Sequence, residues 1–243
     1  MRKDLPTTGW RRRVAFLSTA LLLGLGGAAG AVSLDQRAGE APAGDDRELV
    51  VLVHGMGRTR ASMWWMGQSL ERRGYRVVNW GYSSYTDSVP ALGEALARDV
   101  ERDLGGAPRV HFVGHSLGNV IVRWMLANDA PGRVGRVVML APPNQGSAAA
   151  DRWSPYLSRV MPPIAELRTS GSTVRALPAA PAGVEVGVIA GARDGKVSVD
   201  ETRLPGARAH VVVPAAHTFI MDRPGVHRLT ARFLRTGSFE PGE

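Results

Sequence analysis

Between residues 49 and 140, short apolar runs alternate with amphipathic stretches, and this alternation restricts the possible folds more than any other feature of the chain. Leu49-Val50-Val51-Leu52-Val53 contains no polar residue, as expected of a strand buried on both faces of a parallel sheet. Met63, Met66 and Leu70 then recur at helical spacing, with Gly74 placed to end that helix. Tyr75 to Trp80 reads as a second strand, and Ser88 with Pro90 opens a helix carrying Leu92, Leu96, Val100 and Leu104 on one face before Gly105-Gly106. A strand over 109–113, a helix after residue 118, a break around Pro131-Gly132 and a strand from Val134 to Leu140 continue the series. Strands and helices in strict alternation require right-handed crossovers and a parallel sheet with helices on both faces.

The alternation lapses between Ala141 and Gly183, where seven prolines crowd the chain. This interval reads as an insertion. Trp153, Tyr156, Leu157 and Val160 share a helical face within it, which predicts a short helix with its apolar side inward, over the site or over the sheet. Regularity returns with strands over 184–190 and 209–213 and a closing helix over 224–235 that buries Val226, Leu229 and Phe233.

The formal charge of +8 is less telling than its distribution, since half of it lies in residues 1–31. There the Arg11-Arg12-Arg13 cluster precedes an apolar run ending in Ala29-Gly30-Ala31. That order of charge, apolar run and small residues is that of an export signal cleaved after Ala31, with an uncleaved N-terminal anchor as the alternative. Residues 32–47 read as a polar linker and 48–243 as one domain, with 144–182 as a segment capping it. The expected location is therefore periplasmic or extracellular. The remaining arginines are scattered singly, which argues against nucleic acid as a partner while leaving room for contact with an anionic membrane surface. Cysteine is absent, so disulfides and thiolate chemistry are excluded.

The chemistry centres on Gly114-His115-Ser116-Leu117-Gly118, a G-x-S-x-G pattern between a strand and a helix. A serine hydroxyl is a poor nucleophile until a base takes its proton, and the base needs an acid to fix its tautomer. In parallel sheets such groups belong in loops at the carboxyl ends of strands. Asp194 follows the strand over 184–190 after a short turn, and His217 follows the strand over 209–213. Asp200 is the rival acid and Asp87 a more distant one. The oxyanion donors are expected to be the amides of Leu117 and of Met56, the latter in His54-Gly55-Met56-Gly57 after the first strand. Trp64 and Trp65 either wall an acyl pocket or pack their helix, and together with His54 they are the candidate substrate contacts.

With these stretches in order, the chain from Glu48 onward resembles the α/β-hydrolase superfamily, and within it the small bacterial lipases and esterases with a short lid. The matching segments are Val51 to Gly57, Val113 to Gly118, Ala141-Pro142-Pro143-Asn144-Gln145-Gly146-Ser147, Gly191 to Asp194, and His217. The resemblance implies a minimal, mostly parallel sheet of about six strands flanked by helices. It also implies hydrolysis of a small-molecule or lipid ester through an acyl-enzyme formed by Ser116, His217 and Asp194, without metal or organic cofactor and in a monomer. Acyl transfer by the same three residues, or an exported binding protein of this fold without turnover, are the alternatives.

Overall fold

The computed structural model describes residues 45–170, 173–178 and 183–241. The export segment, most of the linker and parts of the insertion fall outside the described residues. Six strands, β1 (Leu49–Val53), β2 (Arg76–Trp80), β3 (Val110–His115), β4 (Val134–Leu140), β5 (Glu185–Gly191) and β6 (Ala209–Val213), form one sheet in the order β2-β1-β3-β4-β5-β6. Every pairing is parallel, so the expectation of a mostly parallel sheet is met by one that is wholly so.

Four helices cover the two faces of the sheet: α1 (Trp64–Glu71), α2 (Val89–Leu104), α3 (Leu117–Asn128) and the closing α7 (Pro224–Thr236). The period-2 alternation of side chains along each strand separates two cores. Leu49, Val51, Val53, Phe112 and Met139 pack with α2 and α3 on one face, while Val50, Leu52, Val113 and Leu140 pack with α1 and α7 on the other. Sequence-level signals set the helix ends. Ser88 accepts a hydrogen bond from the Ala91 amide at the start of α2, and Gly237 ends α7 at φ 74°.

This topology creates a site. Because β1 sends its successor to one side and β3 lies on its other side, the chain reverses its direction of travel between β1 and β3, and the crevice beyond the carboxyl ends of those strands is where ligands bind in such sheets. The insertion joins β4 to β5 at this same edge and holds α4 (Ala148–Leu157), α5 (Pro163–Glu166) and α6 (Thr173–Ala176).

The predicted inward face of the insertion helix needs correction. Trp153, Tyr156 and Val160 are all more than half exposed, and the buried positions of α4 are Ala150 and Ser154. The four apolar residues share helical spacing, but α4 rests on the small side chains that allow close approach, and only Trp153 and Leu157 reach the cavity beneath. Both ends of the insertion are tied to α3 by one side chain. Arg123 is buried and donates to the carbonyls of Asn144, Leu177 and Pro178.

Candidate active site

Ser116 sits at the corner between β3 and α3 with φ 51° and ψ −120°, a conformation outside the ordinary allowed regions for a residue with a side chain. The two motif glycines make the corner possible. A Cβ on Gly118 would lie 2.3 Å from the Val53 carbonyl oxygen, and one on Gly114 would lie 2.4 Å from Asn119 Oδ1. Asn119 braces the turn by donating from Nδ2 to the carbonyls of Ser116 and Leu140.

The loops after β5 and β6 bring their predicted residues to this corner. His217 Nε2 lies 3.0 Å from Ser116 Oγ, and His217 Nδ1 lies 2.7 Å from Asp194 Oδ2. The other carboxylate oxygen, Oδ1, accepts from the amides of Lys196 and Val197 at 2.8 and 2.9 Å. The Asp194 side chain is fully buried, whereas that of Asp200 is 88% exposed and paired with Arg203. Asp87 is exposed as well. Of the three candidate acids, only Asp194 meets the histidine.

Among the described residues, no acceptor takes the amide hydrogens of Met56 or Leu117, and Met56 lines the cavity together with Ser116. The Met56 loop is pinned from beyond by the Gly57 amide, which donates to Ser84 Oγ at 2.9 Å.

The three candidate substrate contacts fare differently. His54 is fully buried and stacks on Tyr82 with ring centroids 4.1 Å apart, so it shapes the loop from beneath instead of facing the cavity. Burial holds its imidazole below the usual histidine range. Trp64 and Trp65 are exposed and do not line the cavity at Ser116. The reason is angular, because α1 turns Met66 and Leu70 toward the sheet and residues 64 and 65 consequently point away.

The cavity beside Ser116 measures about 450 Å³ and is walled by Met56, Ala150, Trp153, Leu157, Ile164 and Leu167. Its lining is predominantly apolar, with one cation, Lys196. Among the described residues, no cluster of histidines and carboxylates is arranged to hold a metal ion.

Sequence reasoning passed over His115. Its buried ring lies 5.0 Å from that of His217, and its Nε2 donates to the His217 backbone carbonyl at 3.0 Å. Burial, then the neighbouring His217, hold it well below the ordinary value, so the ring is neutral. Its position between Gly114 and Ser116 was legible, but the partner 102 residues away was not.

A buried serine on a strained strand-to-helix corner, backed by a histidine and a carboxylate from the next loops of a parallel sheet, defines a hydrolase-type α/β scaffold. The chain belongs to the alpha/beta hydrolase fold family, whose model matches residues 48–172. It is 32% identical over 156 residues to a triacylglycerol lipase of Burkholderia plantarii, a match covering 58% of this chain and 43% of that protein. It is 36% identical over 115 residues to the putative carbamate hydrolase RutD of Variovorax paradoxus, covering 42% of each. The chain thus spans less than half the length of either relative. Among solved structures, Aspergillus fumigatus lipase B superposes with a TM-score of 0.65 at 16% identity, over 84% of this chain and 56% of that one, a likeness of fold.

Proposed function

We propose that the chain hydrolyses carboxylic esters through an acyl-enzyme, with Ser116 as nucleophile, His217 as base and Asp194 as its orienting acid. The observation that carries this reading is the unbroken line from Ser116 Oγ through His217 to Asp194, at 3.0 and 2.7 Å, opening on an apolar cavity. His217 Nε2 takes the serine proton as Oγ attacks the ester carbonyl, and Asp194 stabilises the imidazolium. The Met56 and Leu117 amides receive the oxyanion. The imidazolium then protonates the departing alcohol, and water, deprotonated by the same nitrogen, releases the acid and restores the serine. The similarity to a triacylglycerol lipase favours an ester carbonyl. A cavity of about 450 Å³ lies toward the small end of ligand pockets, and favours short to medium acyl chains.

Residues 144–182 serve as the lid over that cavity, and the N-terminal segment directs export or anchors the protein at a membrane. The test is a nitrophenyl ester series on a chain starting near Val32, run beside Ser116→Ala. Turnover falling by about 10⁴-fold or more in the variant is expected. Undiminished hydrolysis by the variant overturns the mechanism, and no turnover of any ester by the parent overturns the activity.

A further inference from the structure

A second cavity, of about 790 Å³, lies outside the Ser116 site, between α1 and the start of α7. Arg58, Arg72, Arg73 and Arg228 converge on it together with His227, and Asp222 is the one carboxylate in its lining. None of these four arginines has a carboxylate within ion-pair distance among the described residues, although seven other arginines do. Like charges gathered in one concavity repel each other, and the field they focus attracts anions. The arginine deepest in this group is also unsatisfied. Arg58 Nε is shielded from solvent and has no hydrogen-bond partner, while its guanidinium lies 5.9 Å from the Phe219 ring. Buried donors are rarely left without acceptors.

We propose that this groove binds a phosphate group, either free or carried as the headgroup of a phospholipid. Guanidinium forks match phosphate oxygens in pairs, and a concavity of this volume holds one small anion or headgroup, not a polymer. Exposed Trp65 borders the groove and exposed Phe219 carries Arg58, so the charged floor has apolar flanks, as an amphiphile requires. The groove also neighbours the reaction centre along the chain. Arg58 follows Met56 by two residues, and Phe219 follows His217 by two. A phosphate seated here would hold the Met56 loop against the His217 loop. This binding does not depend on Ser116 being a nucleophile.

The test uses the full chain, the double variant Arg72→Ser/Arg228→Ser and the milder Arg228→Gln, both residues being exposed. Inorganic phosphate at about ten times its Kd should raise the melting temperature of the parent by about 3–6 °C, and chloride at the same ionic strength should not. The shift should shrink in Arg228→Gln and vanish in the double variant, with circular dichroism and short-ester turnover unchanged. In a parallel arm, co-sedimentation with vesicles of phosphatidylcholine alone is compared with vesicles containing phosphatidylglycerol. Retention by the latter that is lost in the double variant identifies a lipid headgroup, and a shift with phosphate but no retention identifies a free phosphate. Equal responses of parent and double variant in both arms, an equal shift with chloride, or no response at all overturns the proposal.

Discussion

Replacing Arg123 by methionine should free the far end of the insertion while leaving the sheet nearly as stable as before. The guanidinium donates to the carbonyls of Leu177 and Pro178 at 3.1 and 2.9 Å, and more weakly to Asn144 at 3.3 and 3.4 Å. Hydrogen bonds to a charged donor contribute about 1.5–3 kcal/mol each, so losing the two shorter ones costs about 3–6 kcal/mol. Against this, burial lowers the Arg123 pKa from 12.5 to about 10. At 1.36 kcal/mol per unit, that desolvation of the cation amounts to about 3 kcal/mol, which methionine does not incur. The net loss is therefore about 0–3 kcal/mol, and its midpoint of about 1.5 kcal/mol is a fall in melting temperature of about 3–6 °C for a chain of this size. Locally, both anchoring bonds vanish, and nothing offsets them at residues 177 and 178. Limited trypsin digestion, read by mass spectrometry at exposed Arg175, should therefore accelerate about tenfold or more while cleavage elsewhere changes little. A melting temperature that falls without any change at Arg175 would refute the idea of a latch. A fall of more than about 12 °C would refute the cancellation of the two terms.

Other consequences are open to direct measurement. Asp194→Asn should lower kcat by about 10³–10⁴-fold by leaving His217 in the wrong tautomer, whereas Asp200→Asn, in an exposed pair, should stay within about twofold. The reverse pattern would move the acid to residue 200. Trp153→Ala should shift the preferred acyl length in the nitrophenyl series, because Trp153 walls the Ser116 cavity, while Trp64→Ala and Trp65→Ala should not. Acid should destabilise the fold in a particular window. Burial lowers the pKa of His54, His111, His115, His210 and His227 below the ordinary 6.5, so on acidification the unfolded chain takes up protons before the folded one does. Stability is then full above 6.5 and declines as pH falls from 6.5 toward the lowered values. Melting temperatures measured between about pH 7.5 and 5 should drop, and a flat or rising profile would contradict the burial of these rings.

The elements were legible because each has a local cause. The apolar run of β1, the Ser88 cap of α2 and the Gly237 end of α7 are all encoded within a few residues, and the structure repeats them nearly to the residue. Ser116, Asp194 and His217 were legible for a related reason: a parallel sheet sends every strand's carboxyl end to one edge, so the order of loops along the chain predicts which side chains share that edge. The insertion was not legible in the same way. Its helical face was read from apolar spacing, but what decides the face is the surface it lands on, and α4 lands on Ala150 and Ser154.

What the chain determined by itself was thus the periodic part: alternating strands and helices, a corner flanked by glycines, and the placement of Ser116, Asp194 and His217 close after the ends of their strands. Tertiary structure decided the rest, because it depends on contacts between residues distant in sequence. Packing turned His54 onto Tyr82 and away from the cavity, left Trp64 and Trp65 in solvent, and joined His115 to the His217 carbonyl. It also gathered four arginines, from the loop after β1, the turn after α1 and helix α7, around a single groove, a concentration of charge that no run of sequence displays.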